Sequence, residues 1–376
     1  MIKGGFMHKK QVAVIDVGSS QITAVIGERG INKTFIIKGR YSFDYDGFED
    51  GVFFDVDNLK QALFSATDCL VKACRGEINT VYVGVPGDFT KVFMKDSQIS
   101  FTKKKKITEE DVDALFDAAF VMSSTKYTLI NRSAIVYELD DFRRLANPVG
   151  AVSEILSGKL SFVVCSNYFI EAVKSAIVAA GIENVECVSS ALAEALYLVE
   201  AETRDRIAVI ADIGYITTTL TIVQGDGLLF KHSFSYGGGY ITAAILEKFS
   251  IPFDVAEKLK RKVNLSCITT SSAFDVLDGE NGEYYPINEV KDVVCKSLDD
   301  LCENIASGLE KSGFVIPEYV PLFVTGGGIS YIRGAKEHVS GRLGMVVDII
   351  APKVPLMNNP TESTILSLLD LALEQN

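Results

Sequence analysis

Three short turns, each placed directly after an apolar strand, carry residue types that can hold phosphate groups. They read Asp16-Val17-Gly18-Ser19-Ser20, Asp212-Ile213-Gly214-Tyr215-Ile216-Thr217 and Thr325-Gly326-Gly327-Gly328. Backbone N–H groups and hydroxyls in such turns donate hydrogen bonds to phosphate oxygens. An aspartate beside them can hold the water shell of Mg²⁺. One such turn is weak evidence, because strand-turn-glycine occurs throughout α/β proteins, but the three together predict a site for phosphate and magnesium.

The first two turns belong to a longer repeated pattern. Residues 11–27 and 206–227 both read as a strand, an Asp-x-Gly turn and a second strand, and Asp16 and Asp212 are 196 residues apart (212 minus 16). This distance is too long for a solenoid repeat. The pattern therefore predicts two similar halves facing each other, with Asp16 and Asp212 holding Mg²⁺ through water. Strands alternate with helical segments, which places the chain in the α/β class.

Length and charge limit the classes of protein that need to be considered. A chain of 376 residues exceeds the size at which one hydrophobic core stops growing, so at least two domains are expected. The net charge of -12 disfavours a broad nucleic-acid or anionic-membrane surface. The seven cysteines are odd in number and fit reduced thiols. No apolar run approaches the roughly 18 residues of a membrane span, so we expect a soluble cytoplasmic protein without a nucleic-acid partner.

Periodicity and capping residues predict the main helices. Asp57 is expected to cap a helix running to about Cys74, and Thr108 to cap another, with Asp111 reaching back and Ile107 and Val112 forming a staple. The lysines at 103–106 are either an anion patch or a solvated loop that keeps an edge strand from aggregating. Further helices are predicted at 168–180, 189–202, 239–250, 252–263, 287–312, from about Ile332, and in the terminal STILSLLDLALEQ.

This set of turns resembles the actin, Hsp70 and sugar-kinase ATPase superfamily and, within it, the bacterial division protein FtsA family. The resemblance extends in order over nearly the whole chain. It includes GFEDGVFFDVDNLKQAL, VYVGVPGDF, ITEEDVDALFDAA with NPVGAVSEILSGKLSFVV, KHSFSYGGGYITAAILEKFSIPFDVAEKLKRKVN and VTGGGISYIRGAKEHV. It implies an actin-like fold in which two ribonuclease-H-like halves enclose a nucleotide cleft. An inserted subdomain, called 1C, distinguishes FtsA from MreB and Hsp70.

The resemblance also implies limits for the subdomains. Subdomain 1A is expected at 1–80 plus 160–204, and the inserted 1C at 81–159. Subdomain 2A is expected at 205–232 plus 313–376, and 2B at 233–312.

Roles for individual residues follow from the resemblance. Asp16 and Asp212 would face Mg²⁺, and Gly18, Ser19, Ser20 and Gln21 would lie on one side of the phosphates of ATP. Gly214 and Thr217 would hold them from the other side, with Gly237 and Gly238 in the segment after the second hairpin. Glu257 and Lys260 would reach the ribose or adenine, although their spacing also fits an ordinary helix salt bridge. Gly326, Gly327 and Gly328 would pack under the base.

The second hairpin departs from the family pattern, Asp-x-Gly-Gly-Gly-Thr-Thr-Asp. Tyr215 and Ile216 replace two glycines, and Thr219 replaces the second acid. A β-branched residue tolerates neither a positive φ nor close approach to phosphate. Gln21 also stands where FtsA proteins commonly have a lysine. Phosphoryl transfer depends on positioning and charge neutralisation, so we expect weak nucleotide binding with little or no hydrolysis.

The end of the sequence is the second departure. FtsA proteins usually add a linker and an amphipathic membrane helix, whereas this sequence ends at Asn376, directly after STILSLLDLALEQ. That segment contains acids and no lysine or arginine, so a core helix is favoured over a membrane-surface helix. We therefore expect no direct membrane anchor in this chain.

Three functions agree with these features. The first is a division scaffold that binds FtsZ and other divisome proteins, self-associates into dimers or filaments, and acts at the division site on the inner face of the membrane. The second is an active ATPase or small-molecule kinase of the same fold, since fold alone does not fix function. The third is an FtsA-like adaptor for type IV pili, similar to PilM.

Overall fold

The structure is a computed structural model and describes residues 11–31, 34–74, 78–120, 124–266, 276–280 and 282–375. Up to residue 204 the strands are β1 Gln11–Val17, β2 Gln21–Arg29, β3 Phe35–Asp44, β4 Phe48–Glu49, β5 Val52–Phe53, β6 Thr80–Val85, β7 Thr90–Lys106, β8 Tyr127–Leu139, β9 Arg144–Leu145, β10 Val152–Ser166 and β11 Asn184–Ser189. The helices of this part are α1 Val56–Ala73, α2 Glu109–Ala119, α3 Asn167–Ala179, α4 Ser190–Leu198 and α5 Ala201–Arg204.

The remaining elements follow residue 204. The strands are β12 Ala208–Ile213, β13 Thr218–Gln224, β14 Gly227–Phe234, β15 Val276–Asp278, β16 Tyr284–Pro286, β17 Leu322–Thr325 and β18 Val347–Ile349. The helices are α6 Gly238–Phe249, α7 Phe253–Lys262, α8 Ile287–Ser312, α9 Ala335–Leu343 and α10 Ser363–Gln375. Among the described helices, none is both long and apolar enough to cross a bilayer.

Two five-stranded sheets repeat one arrangement of strands. Their orders are β11-β6-β1-β2-β3 and β18-β17-β12-β13-β14. In each sheet a hairpin, β1-β2 or β12-β13, is antiparallel, and a later strand, β6 or β17, pairs in parallel with the first strand of that hairpin. The repeat predicted from the two Asp-x-Gly turns is confirmed at the level of sheet topology.

Helices cover both faces of the first sheet because its central strands are apolar on both sides. Helices α1 and α3 pack on one face, against a cluster that includes Ile15 and Ile22. Helix α10 packs on the opposite face, against Val12, Val14 and Val25. Within the fold, this segment is therefore a core helix and not a helix that lies on a membrane surface. The prediction of a core helix is confirmed.

The position of α10 could not be read from its sequence. The expected limits assign 313–376 to subdomain 2A, yet α10 contacts β1, β2, β6 and α4, all in the first half of the chain. It is connected to the second sheet at its start, where the Thr325 hydroxyl donates to Ser363 Oγ at 2.6 Å. The last helix thus returns to the first half and passes the junction between the two sheets.

A third sheet, of order β7-β10-β8-β9, is inserted between β6 and α3. Helix α2 packs on one of its faces around Leu115 and Phe116. The predicted capping box is present, because Thr108 and Asp111 exchange side-chain to backbone hydrogen bonds. The lysines at 103–106 do not form a loop, because they are the last four residues of edge strand β7 and Lys105 and Lys106 pair with β10. Lys104 forms a salt bridge with Asp140, and Lys105 with Asp111.

Three predicted helix boundaries need correction. Helix α1 is capped by Asp55, whose carboxylate accepts the N–H groups of Asp57 and Asn58, because Asp55 is the residue with extended backbone. The segment 189–202 is two helices, since Val199 is extended. Helix α9 begins at Ala335, three residues later than expected, because Gly334 adopts a left-handed φ of 86°.

Candidate functional site

The two Asp-x-Gly turns have the same local geometry. Asp16 is paired with Thr23 across the first hairpin, and Asp212 with Thr219 across the second. The N–H of Gly18 donates to Gln21 O at 3.0 Å, and that of Gly214 to Thr217 O at 2.9 Å. A Cβ at either glycine would lie within 3.0 Å of the same acceptor oxygen. Glycine is therefore required by both turns for close backbone contact.

The turns face each other and are joined directly. The backbone N–H of Ile216 donates to Ser19 Oγ at 3.0 Å. Between them lies a cavity of about 250 Å³, which is smaller than the roughly 300–1,000 Å³ typical of small-molecule pockets. Its wall includes Asp16, Val17, Gly18, Ser19, Ser20, Gln21, Thr23, Phe48, Pro86, Gly87, Ser190, Ala191, Glu194, Asp212, Gly214, Tyr215, Thr217, Thr219, Gly326, Gly327, Pro360, Thr361 and Thr364.

Three carboxyl groups meet in this cavity. Burial, followed by the charge of Asp212, raises the pKa of Asp16 to about 7. Burial also raises the pKa of Asp212 to about 6. The pKa of Glu194 is raised well above its ordinary value by burial and then by Asp212. Ionised carboxylates enclosed this closely favour a cation nearby, because the cation offsets both their desolvation and their mutual repulsion.

Glu194 was missed by sequence reasoning, as were the threonines near it. The Thr364 hydroxyl, in the first turn of α10, donates to Glu194 Oε1 at 2.6 Å. Thr361 lies just before α10 and also lines the cavity. Ser190 Oγ is buried there without a hydrogen-bond partner in the described structure. The only signal in the sequence was a single acid within the apolar run ALAEAL, four residues after Ser190.

The cavity wall has little positive charge to offer a phosphate. Among the described residues that line it, none is a lysine, arginine or histidine. Gln21, which stands where the family pattern has lysine, donates its Nε2 to Asp44 at 2.8 Å. The backbone N–H groups of Ser19 and Ser20 have no acceptor in the described part of the chain. These two amides are the groups best placed to receive an anion.

The residues expected near the ribose form a closed network of their own. Lys260 is 0% exposed, and its Nζ lies 2.6 Å from Glu257 Oε2. Nζ also donates to Gly238 O at 2.9 Å and to Thr242 Oγ1 at 2.8 Å. Tyr331 Oη donates to Glu257 Oε1 at 3.2 Å. Both charges are therefore neutralised inside the second half, as the salt-bridge interpretation of their spacing predicts.

Tyr215 lies between the cavity and this network. Its carbonyl oxygen accepts the N–H of Gly239 at 2.7 Å, and a Cβ added to Gly239 would come within 3.1 Å of the tyrosine ring. The ring lies 6.3 Å from that of Phe253, measured between centroids. Burial, and then the charge of Glu257, raises the pKa of Tyr215. The side chain thus fills space between the second hairpin and the start of α7.

The glycine turn at 326–328 is divided between two roles. Gly326 has a φ of 85°, and a Cβ there would lie 2.4 Å from Asp212 Oδ1. Gly326 and Gly327 line the cavity. Gly328 instead packs against Gly238, and its N–H donates to Ile213 O at 2.7 Å. The turn is held tightly against the second hairpin.

The structure places ten of the fifteen residues predicted to bind a nucleotide in the cavity wall. These are Asp16, Gly18, Ser19, Ser20, Gln21, Asp212, Gly214, Thr217, Gly326 and Gly327. The other five lie behind Tyr215 or beside the glycine turn, and these are Gly237, Gly238, Glu257, Lys260 and Gly328.

The two ends of the site differ in their fit to ATP and Mg²⁺. Asp16, Asp212 and Glu194 all line the acidic end, and carboxylates can hold a Mg²⁺ ion through the waters that it keeps. The Ser19 and Ser20 amides fit phosphate oxygens. The nucleoside end does not fit in this conformation, because Lys260 is fully buried and paired with Glu257, while the Tyr215 ring packs beside Gly239.

Sequence comparison identifies relatives of the chain. Residues 209–367 match the family model described as Cell division protein FtsA. The chain is 23% identical to Cell division protein FtsA of Streptococcus pneumoniae, over 95% of this chain and 79% of that protein. It is 21% identical to that of Pseudomonas aeruginosa, over 97% of this chain and 90% of that protein. The resemblance to FtsA proteins inferred from the sequence is therefore confirmed.

Solved structures share its fold at low sequence identity. One is described as the PilM-PilN type IV pilus biogenesis complex, with a TM-score of 0.65 and 16% identity over 97% of this chain and 99% of that chain. Another is MreB 5 of Spiroplasma citri bound to AMPPNP, with a TM-score of 0.54 and 13% identity over 97% of this chain and 96% of that chain. The predicted α/β, actin-like fold is confirmed.

Proposed function

We propose that this FtsA-like chain is an actin-like cell-division scaffold that binds ATP weakly or not at all. In this role it links the FtsZ ring to other divisome components in the cytoplasm, at the division site on the inner face of the membrane. Its similarity to FtsA proteins over nearly its whole length supports the role in division. The weak binding of ATP is argued from the cleft.

The observation that carries the weak binding is the direct contact between the two hairpins. Ser19 Oγ accepts the Ile216 N–H, and Tyr215 fills the space beside Gly239. A nucleotide would have to break the hydrogen bond between Ser19 and Ile216 and displace the side chain of Tyr215. Each buried hydrogen bond contributes about 0.5–1.5 kcal/mol net, so this rearrangement opposes binding and favours the scaffold role.

The same residues could still hold a nucleotide that entered. Asp16 and Asp212 would position Mg²⁺ through water, and the amides and hydroxyls of Ser19 and Ser20 would receive phosphate oxygens. Bound Mg²⁺ would neutralise phosphate charge. No described lysine or arginine lines the cavity to share that task, so hydrolysis by this cleft is expected to be slow.

The first experiment is a calorimetric titration of the purified chain with ATP and Mg²⁺, followed by phosphate analysis of the same sample. The proposal expects no saturation below millimolar ATP and no steady release of phosphate. Saturable micromolar binding with continuing phosphate release would instead favour an active ATPase.

The division role needs a separate test. The chain should co-sediment with assembled FtsZ in the presence of GTP, and this result should not depend on added ATP. Self-association into dimers or filaments, which is part of the proposed scaffold role, is measured by analytical ultracentrifugation of the same preparation.

A PilM-like adaptor is a second candidate, favoured by the structural similarity to the PilM-PilN complex. The two functions are separated by the partner that is retained. Immobilised chain is offered assembled FtsZ or a peptide from the N-terminus of a pilus-assembly protein. Retention of the peptide without FtsZ would favour the adaptor, whereas retention of FtsZ alone supports the scaffold.

A further inference from the structure

A short hairpin of the first half crosses to the second half beside the cavity. We call residues 46–54, which contain β4, β5 and their turn, the strap. It reverses tightly, with positive φ values at Gly47, Asp50 and Gly51. Its ends are joined by a hydrogen bond from the Phe54 N–H to Gly47 O at 3.1 Å. The strap is therefore an ordered element with a fixed shape.

The base of the strap forms part of the cavity wall. Phe48 lines the cavity and packs edge-on against Phe53 and Phe89. A Cβ at Gly47 would lie 2.1 Å from Ser19 O and 3.1 Å from Ile216 Cδ1. The strap thus touches both phosphate hairpins at the place where they meet.

Two carboxylates at the tip of the strap bind hydroxyls of the second half. Tyr240 Oη, in the first turn of α6, donates to Glu49 Oε1 at 2.8 Å. Ser235 Oγ donates to Asp50 Oδ1 at 3.3 Å. Hydrogen bonds to ionised acceptors are about twice as strong as neutral ones. These contacts connect the first half of the protein to the second half.

A third contact reinforces the same closure. The turn after β6 presents Gly87 O to Lys231 Nζ at 2.6 Å. A Cβ at Gly87 would lie 2.2 Å from Ser233 Oγ, so only glycine permits this approach of the turn to β14. Gly51 of the strap in turn packs against Asp88 O. The strap and the Gly87 turn therefore contact the second half at the same edge of its sheet.

We propose that the strap is a latch that holds the two halves closed through the hydrogen bonds of Glu49 to Tyr240 and of Asp50 to Ser235. This inference does not depend on whether nucleotide binds. It concerns an equilibrium between closed and open forms of the free protein, in which the cross-half contacts of Glu49 and Asp50 favour the closed form.

The chain offers a matched pair of variants for a test. Tyr236 and Tyr240 stack on each other with ring centroids 5.0 Å apart. The Tyr240 hydroxyl bonds to the first half through Glu49, whereas the Tyr236 hydroxyl bonds to Asp300 within the second half. Tyr240→Phe therefore removes a latch contact, and Tyr236→Phe removes a comparable hydroxyl from the same stack without touching the latch.

The measurement is hydrogen exchange by mass spectrometry on the full chain without ligand. Peptides covering residues 213–217 contain the Ile216 amide, which is protected by Ser19 across the cavity. We expect these peptides and those of the strap to exchange about tenfold faster in Tyr240→Phe than in the parent, with no change in Tyr236→Phe. Glu49→Ala should reproduce the effect of Tyr240→Phe.

A second readout keeps the test independent of the fold's overall stability. The chain has no tryptophan, and Phe54, at the end of the strap, is 57% exposed, so Phe54→Trp supplies a single reporter. Adding Tyr240→Phe to this variant should change its emission and its quenching by acrylamide. The latch is refuted if both tyrosine variants behave alike, if neither changes exchange at 213–217, or if exchange rises equally in all peptides.

Discussion

The side chain of Ser19 and the backbone of Ile216 are joined across the cavity by a hydrogen bond of 3.0 Å. These residues lie in the two turns that would hold phosphates from opposite sides. An amide that could receive a phosphate oxygen is instead satisfied by the protein. The cavity between these turns has a volume of about 250 Å³, and a phosphate that enters must compete with this internal contact.

Restoring glycine at Tyr215 and Ile216 should tighten the binding of ATP. The change removes the ring that packs against Gly239 and Phe253, and it lets the second turn adopt backbone conformations suited to phosphate. We expect the dissociation constant for Mg-ATP to fall at least tenfold, measured by calorimetry.

Titrations with adenosine and with pyrophosphate would show which of the two replaced residues weakens the binding of ATP. Adenosine alone should gain affinity if Tyr215 blocks the nucleoside end, whereas inorganic pyrophosphate should gain if Ile216 restricts the phosphate end. An unchanged dissociation constant for ATP in the double variant would count against a blocked site.

Replacing Glu194 with glutamine should raise the stability of the protein as pH rises above the ordinary glutamate pKa of 4.5. The folded-state pKa of Glu194 is raised by burial and by Asp212, so the folded protein holds this proton more tightly than the unfolded chain. The free energy of unfolding must then fall as pH rises from 4.5, the ordinary glutamate pKa, toward the raised pKa of the folded state. Glu194→Gln keeps the acceptor for Thr364 and should melt close to the parent below the ordinary glutamate pKa of 4.5, and increasingly above the parent as pH rises from there. The exposed Glu374→Gln serves as the matched control, and a parallel shift of both variants would contradict the prediction.

The titration of Asp88 should also make the free energy of unfolding depend on pH. Burial raises its pKa from 3.8 to about 6, although Lys231 opposes the shift. Because the folded state binds the proton more tightly, stability should decrease as pH rises from about 4 to about 6. At roughly 1.4 kcal/mol per pKa unit this amounts to about 2–3 kcal/mol. Asp88→Asn should flatten the plot of unfolding free energy against pH in urea titrations, and an unaltered slope would exclude Asp88 as its source.

Shortening a buried leucine of α10 should destabilise the first half of the protein. Leu369 is 0% exposed and packs against the first sheet. Leu369→Ala should cost about 2–5 kcal/mol through lost contacts and the cavity left behind. Leu356 is fully exposed at 101%, so Leu356→Ala is a matched control expected to change little. Equal midpoints of the two variants in urea would show that α10 is not part of the core.

Local features of this chain could be predicted from its sequence. The Thr108 capping box follows from a four-residue pattern, and the final helix was placed at Ser363–Gln375 from its apolar spacing. The two aspartate turns follow from strand-turn-strand segments, and ten candidate residues do line the cavity. Each of these depends on residues that are close in sequence, where capping, turn geometry and side-chain periodicity act directly.

Long-range relationships were decided only by the tertiary structure. Glu194 and Thr364 are 170 residues apart and meet at 2.6 Å, because α10 returns to the first sheet. No local pattern specifies this, since its apolar face would suit either half. Likewise, the sequence identified Tyr215 as a departure from glycine but not the direction of its ring. That direction depends on packing against Gly239 and Phe253, which are brought to it by the fold. The sequence determined what each segment can form, and packing between distant segments determined which of those surfaces meet.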